Sequence, residues 1–353
     1  MKFALSYIML NGKPITSDEI SDLATNKTIS LSILEWEKEL FLFLNEWFSD
    51  SDFILAHTSG STGEPKTIKL PKSVMIKSAE RTIRYFGLQP GNRLLLSLPC
   101  QYIAGKMMVV RAIVGQMNLI TVDPTTDFDF LGQEIFDFGA MVSNQVFKLM
   151  EQPSGSEKLQ NIRNLLVGGS SISEALEMQI SRLSNRIVST YGMTETASHI
   201  AIRELSGPLK SDWYLCLSGI SVSTNQAGCL QIHLPEFNEP LQTNDLADVQ
   251  SETSFRILGR ADSVIISGGI KFSPESIEKK LEDLIRQRFI ISSVPDEKLG
   301  EKLVLVIEGE PFITTSLGKA IAKILPNFER PKSIVFREKF QETDSGKIIR
   351  KSY

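Results

Sequence analysis

Residues 57–66 read His57-Thr58-Ser59-Gly60-Ser61-Thr62-Gly63-Glu64-Pro65-Lys66, directly after the apolar run Phe53 to Ala56. A strand ending in such a loop offers free backbone N–H groups, two glycines, several hydroxyls and one ammonium, which are the parts of a phosphate cradle. A Walker A loop needs glycine immediately before its lysine, and Pro65 stands there instead, so this is a different phosphate loop. Two further strand ends carry chemistry. Leu165 to Val167 runs into Gly168-Gly169-Ser170-Ser171, where glycine lets a flat ring approach the backbone. Ile187 to Ser189 runs into Thr190-Tyr191-Gly192-Met193-Thr194-Glu195, which offers a stacking face, hydroxyls and a carboxylate suited to Mg²⁺. Farther on, Asp245 either caps a turn or is a bidentate acceptor of the kind that holds two adjacent ribose hydroxyls, and Lys347 follows a glycine in a basic tail.

These groups need elements to hold them. Phe3 to Leu10 with Asn11-Gly12 reads as a strand and hairpin turn, and not as a signal peptide, because the apolar run is short and lacks a small-residue cleavage pattern. Ser30 to Phe48 is an amphipathic helix ahead of the loop; Ser73 to Phe86 is another, with Ile76, Ala79, Ile83 and Phe86 on one stripe. Strands at 94–98, 118–122, 140–143 and 164–167 alternate with helices at 105–114, 130–138 and 144–151. That alternation predicts an α/β fold with mostly parallel sheet, whose ligands collect outside the carboxyl ends of the strands. Residues 218–234 read as short strands of a small β-rich subdomain. Ser273 as N-cap and Pro274 at the first helical position open a helix in a smaller α+β C-terminal domain. The domains expected are 1–260 and 263–353.

Composition narrows the function. With 42% hydrophobic and 23% charged residues and a net charge of −4, the chain reads as a soluble globular protein without a basic face for nucleic acid. No apolar run approaches the roughly 20 residues that span a bilayer. Three cysteines without a CxxC pair argue against a disulfide framework or a zinc site, and a reducing, cytoplasmic location is expected.

Five separated strings, in order, resemble the signatures of the adenylate-forming superfamily, which includes acyl-CoA synthetases, luciferases and peptide-synthetase adenylation domains. They are TSGSTGEPK (58–66), GGSSIS (168–173), STYGMTETAS (189–198), TNDLADV (243–249) with GRADSVIISGGIKFSPESIE (259–278), and DSGKIIRK (344–351). The resemblance covers 53–353. It implies a large N-terminal domain, a small mobile C-terminal one, and ATP, Mg²⁺ and coenzyme A as the small-molecule ligands of a two-step reaction. A carboxylate attacks the α-phosphorus of ATP to give acyl-AMP and pyrophosphate, and a thiol then displaces AMP. By the same match, Thr58, Ser59, Ser61, Thr62, Gly63 and Lys66 lie at the phosphates, Thr194 at the α-phosphate and Glu195 on Mg²⁺. Gly168, Gly169, Ser170, Tyr191 and Gly192 line the adenine, and Asp245 and Arg260 hold the ribose. Lys347 looks like the mobile catalytic lysine and Asp262 like the hinge, while Gly268 and Gly269 approach the pantetheine tunnel. The resemblance allows a homodimer.

The string YGMTETASHI is similar to that of the 2-succinylbenzoate–CoA ligases of menaquinone synthesis, and Tyr102-Ile103-Ala104-Gly105 with Arg111 also fits that subfamily. A guanidinium inside the apolar stretch Met107 to Val114 is costly if buried and unpaired. It reaches the surface, pairs with a protein acid, or meets a second carboxylate on the substrate. In the last case Arg111 takes the aromatic carboxylate, with Tyr102, Ser198 and His199 near the ring. The segment before the phosphate loop is shorter than in typical members, and Asn244 stands where many relatives have glycine. Neither removes a catalytic group, but the short front end leaves other readings open: another aryl or fatty acid, loading of a carrier protein, or a non-catalytic nucleotide-binding regulator.

Overall fold

The computed structural model describes residues 7–25, 34–58, 66–124, 128–132, 134–169, 172–341, 348 and 350, without the side chains of 57, 58 and 66. Ser59, Ser61, Thr62, Gly63, Ser170 and Lys347 therefore lie outside the described residues. The chain packs as two compact units, one running to Ser218 apart from Ser173–Met178, the other made of that segment and of Gly219 onward.

In the first unit the strands are β1 (Tyr7–Leu10), β2 (Lys13–Thr16), β3 (Phe53–Thr58), β4 (Lys66–Pro71), β5 (Arg93–Leu96), β6 (Asn118–Thr121), β7 (Phe138–Val142), β8 (Asn164–Gly168), β9 (Arg186–Gly192), β10 (His199–Glu204) and β11 (Tyr214–Cys216). Its main sheet has the order β2-β1-β6-β5-β7-β8-β9-β10-β11. From β1 to β9 neighbours are parallel, and β2, β10 and β11 pair antiparallel. β5, β7 and β8 read as near-continuous apolar runs because both faces are covered. The strand order reverses at β5, the kind of switch point outside which α/β sheets bind ligands. The hairpin β3–β4 forms a separate two-stranded sheet, paired from Phe53↔Pro71 to Thr58↔Lys66. Residues 59–65 join β3 to β4 in the sequence.

The helices are α1 (Ser17–Thr25), α2 (Glu35–Phe48), α3 (Lys72–Phe86), α4 (Ile103–Val114), α5 (Ser143–Met150), α6 (Gly155–Gln160) and α7 (Glu174–Ile180). α4 is buried almost all round and packs on α3. The buried face of α3 is Val74, Met75, Ser78, Ala79 and Thr82, rotated from the expected stripe, with Ile76, Ile83 and Phe86 only partly covered. The helix expected at 130–138 is absent: a 3₁₀ turn, Asp129–Gly132, precedes β7. There Phe128, Leu131 and Phe136 are fully buried and Phe130 packs edge-on to Phe136, so the apolar run fills a corner instead of forming a helical face.

The second unit has an antiparallel sheet β12 (Ser221–Thr224), β13 (Cys229–His233), β14 (Leu241–Ser251) and β15 (Ser254–Arg260). A second sheet has the order β17 (Ile270–Phe272), β16 (Ile265–Ser267), β19 (Gly300–Glu308), β18 (Phe289–Asp296), with β20 (Ser333–Arg337) parallel to β19. The helices α8 (Pro274–Leu281) and α9 (Thr315–Ile324) cover it over a core that includes Phe272, Ile277, Leu281, Ile291, Leu305 and Ile321. Ser273 caps α8 by accepting the Ser276 N–H at 3.4 Å, with Pro274 at the first position. This is the mixed α/β architecture expected, with a large mostly parallel sheet and a smaller one. Among the described residues no helix is long and apolar enough to cross a membrane.

Candidate active site

Site residues of the first unit gather at the carboxyl ends of its parallel strands. Tyr102 is the N-cap of α4, shortly after β5; Gly168 ends β8 and Gly169 follows it; Tyr191 and Gly192 end β9. Thr194, Glu195 and Thr196 then form a 3₁₀ turn that delivers the chain into β10. Thr196 Oγ1 ties this turn together, accepting the Met193 N–H at 3.1 Å and lying 2.6 Å from the Ser198 carbonyl. Gly192 is required here, since a Cβ would sit 2.4 Å from the Ser198 carbonyl oxygen. Ala197, at φ +62, takes a left-handed conformation that alanine rarely adopts, and the ladder slips between His199 and Ala201. Both distortions aim Ser198 and His199 at α4.

There they meet Arg111. The guanidinium is 3% exposed and donates from Nη2 to Ser198 Oγ, with His199 Nδ1 at 3.5 Å; its Cζ lies 6.0 Å from the Phe138 ring centre. Its Nε is buried without a hydrogen-bond partner, and among the described residues no acid offsets the burial, which pushes the guanidinium down to about 9. It is a cation at neutral pH all the same. Of the three fates open to Arg111 from sequence, the surface and a protein acid are both excluded among the described residues.

The hydrogen bonds also fix the His199 tautomer. Thr82 Oγ1 donates to the Ser78 carbonyl at 3.1 Å, so at its 3.2 Å contact with His199 Nε2 it accepts. His199 thus carries its proton on Nε2 and turns the Nδ1 lone pair toward Ser198 Oγ, 3.1 Å away, and the Arg111 cation. Burial, then the Arg111 charge, hold its pKa well below 6.5. Thr82 had no signal in the sequence beyond being a polar residue on an amphipathic helix. The sign of the pH effect follows. The unfolded chain binds the histidine proton more readily than the folded one, so this contribution is complete above pH 6.5 and is lost as pH falls below it. The melting temperature of the wild type is expected to fall more steeply between pH 7 and pH 5 than that of His199→Gln; parallel curves in differential scanning fluorimetry would contradict this.

Glu195 is half-buried in its turn, and among the described residues no cluster of three or more histidine, cysteine or acidic side chains forms a cage. One carboxylate is the donor set that suits Mg²⁺ shared with phosphate oxygens and water. Thr58 and Lys66 are seen as the facing ends of β3 and β4.

In the second unit, Asp245 and Arg260 face each other across β14 and β15, with Arg260 Nη1 donating to Asp245 Oδ1 at 3.1 Å. The same guanidinium grips both oxygens of Asp262 at 2.8 Å each, which holds the Asp262 carboxyl below its ordinary value. Gly268 and Gly269 form the two-residue turn between β16 and β17, both at positive φ (+58 and +79), as a tight hairpin demands.

Among known proteins, an AMP-forming acyl-CoA synthetase/AMP-acid ligase II-like protein from Dyadobacter fermentans is similar in structure, with 35% identity, coverage of 93% of this chain and 97% of that one, and a TM-score of 0.61. The 2-succinylbenzoate–CoA ligase of Lactococcus lactis is 25% identical over 96% of this chain and 79% of its own. The o-succinylbenzoate CoA synthetase of Bacillus subtilis, solved with its acyl-adenylate intermediate, shares the fold at 20% identity and a TM-score of 0.73, over 84% of this chain and 68% of that one. The sequence profile of the AMP-binding enzymes matches residues 21–223, more than half of the chain. The chain belongs to the AMP-binding enzyme family and is an AMP-forming acyl-CoA ligase.

Proposed function

We propose that this ligase activates 2-succinylbenzoate with ATP and Mg²⁺ and transfers it to coenzyme A, as in menaquinone synthesis. The observation that carries the acid is Arg111, a buried guanidinium with an unsatisfied Nε and no carboxylate partner among the described residues. An unpaired buried charge is strongly unfavourable and a carboxylate is its natural complement. A substrate with two carboxylates supplies one to Arg111 and leaves the other to react. The names of relatives such as the Lactococcus ligase agree with this acid.

In the first step an oxygen of the succinyl carboxylate attacks the α-phosphorus and the bond to pyrophosphate breaks. In the second, the thiol sulfur attacks the acyl carbon, the bond to AMP breaks and the thiol proton leaves to solvent. The 58–66 loop with Lys66 holds the phosphates, Thr194 the α-phosphate, Gly168 to Ser170 and Tyr191 the adenine, and Asp245 and Arg260 the ribose. Glu195 would hold Mg²⁺, which would supply charge neutralisation for the leaving pyrophosphate. Lys347 bridges the attacking carboxylate and the α-phosphate, and residues 263–353 turn about Asp262 between the steps. Tyr102, Ser198 and His199 wall the aromatic ring.

Acid-dependent exchange of labelled pyrophosphate into ATP, without coenzyme A, tests the acid across a panel. Exchange is expected with 2-succinylbenzoate and weak with single-carboxylate aryl or fatty acids. Exchange driven best by one of those would discard the substrate and keep the chemistry.

The tail that carries Lys347 has an anchor. Arg350 donates to both oxygens of Glu278, from Nη2 at 2.7 Å, and Glu278 also accepts the Ile291 N–H at 2.6 Å. Glu278→Gln keeps the size and loses the charge, so it is expected to slow adenylation by about tenfold, the scale of one charge-assisted hydrogen bond. Thioester formation from supplied acyl-AMP should be unchanged; an equal loss in both half-reactions in stopped flow would refute the anchor.

A further inference from the structure

We infer that Glu46 and Lys106 clamp the outer edge of β3 and thereby position the phosphate loop for ATP. β3 has β4 on one side and no strand on the other among the described residues. Leu55, opposite Lys69 in the ladder, turns both of its backbone groups outward. Its N–H donates to Glu46 Oε1 on α2 at 2.8 Å, and its carbonyl accepts from Lys106 Nζ on α4 at 3.0 Å. One carboxylate and one ammonium thus replace the two hydrogen bonds that a neighbouring strand would make. Leu55 stands three residues before Thr58, where the loop begins.

Lys106 is a poor choice for anything else at this place. It is 8% exposed, lies 5.3 Å from the Phe43 ring centre and forms no ion pair among the described residues. Burial lowers its pKa, and Glu46, Cys100 and Glu39 only partly oppose that. Methionine would fill the same space without the desolvation penalty of a buried ammonium. What methionine cannot do is donate to the part-buried Leu55 carbonyl at this unpaired strand edge. Because an α-helix rises 1.5 Å per residue, Lys106 and Arg111 stand about 7–8 Å apart along α4. One rigid helix therefore sets both the phosphate-loop hairpin and the acid pocket.

The proposal rests on the reading of 58–66 as the phosphate loop, and its test separates the two. ATP binding is titrated calorimetrically with Mg²⁺ and without any acid, on Lys66→Ala, Lys106→Met, Lys106→Arg and Glu46→Gln, with melting temperatures alongside. Lys66→Ala is expected to weaken ATP binding, and Lys106→Met and Glu46→Gln to weaken it about tenfold, with Lys106→Arg restoring part. In exchange assays the KM for ATP should rise while the KM for the acid stays put. If Lys66→Ala weakens binding and both clamp variants bind ATP as the wild type does, the clamp is wrong. If Lys66→Ala has no effect, the loop reading itself fails. Equal rises in both KM values, or a lowered melting temperature with unchanged ATP affinity, would reduce the pair to a packing role and overturn the proposal; should Lys106→Met not fold, Glu46→Gln alone decides it.

Discussion

Replacing Arg111 with alanine is expected to lower kcat/KM for 2-succinylbenzoate by about 10²–10³-fold, the scale of removing one partner from a buried, hydrogen-bonded charge pair. The free enzyme stores an incomplete interaction: Nη2 is satisfied by Ser198, Nε is not, and burial disfavours the cation. A bound aryl carboxylate would complete it and be left unpaired in the variant. An analogue that keeps the oxobutanoate chain but lacks the ring carboxylate never makes that contact. Its kcat/KM is therefore low in the wild type and unchanged or better in Arg111→Ala, so discrimination between the two acids collapses. The same argument gives Arg111→Met a higher melting temperature, because an unpaired buried charge is replaced by an apolar chain. Steady-state kinetics on both acids decide the matter; an equal loss on both would remove Arg111 from substrate recognition.

Lys347→Ala is expected to slow acyl-AMP formation by about 10²–10³-fold, the range for one preorganised donor aimed at developing charge. Thioester formation from synthetic acyl-AMP and coenzyme A should proceed at the wild-type rate, because in the proposed mechanism the lysine acts only where the carboxylate and the α-phosphate are brought together. Stopped-flow measurement of each half-reaction reads the asymmetry directly. A matched loss in both would place Lys347 in binding or folding and not in the first step.

The strand ends that carry Gly168, Tyr191 and Thr194, the Asn11-Gly12 hairpin and the Ser273-Pro274 helix start were all legible in the sequence, because each rests on a local rule: an apolar run, a turn dipeptide, a cap. Residues 129–138 were not. Their aromatic run has no helical period, and what orders it is the burial of Phe128 and Phe136 against the rest of the fold. Thr82 and Lys106 were illegible for a related reason. Thr82 is buried on α3 because its partner, His199, lies 117 positions away, and Lys106 because it holds a carbonyl 51 positions earlier. Hydropathy patterns score such residues as solvent-facing, whereas here the polar partner is supplied from a distance. Arg111 lies between these cases. The sequence marked it as an anomaly in an apolar helix, and packing removed two of its three fates, the surface and a protein acid, among the described residues.

The most direct measurement incubates the wild-type protein with ATP, Mg²⁺, coenzyme A and 2-succinylbenzoate and reads the mass of the thioester formed, with AMP and pyrophosphate counted against it. Succinylbenzoyl-CoA in one-to-one ratio with AMP is the predicted result. AMP and pyrophosphate formed without that thioester, or no turnover of this acid under conditions where another acid is converted, would contradict it.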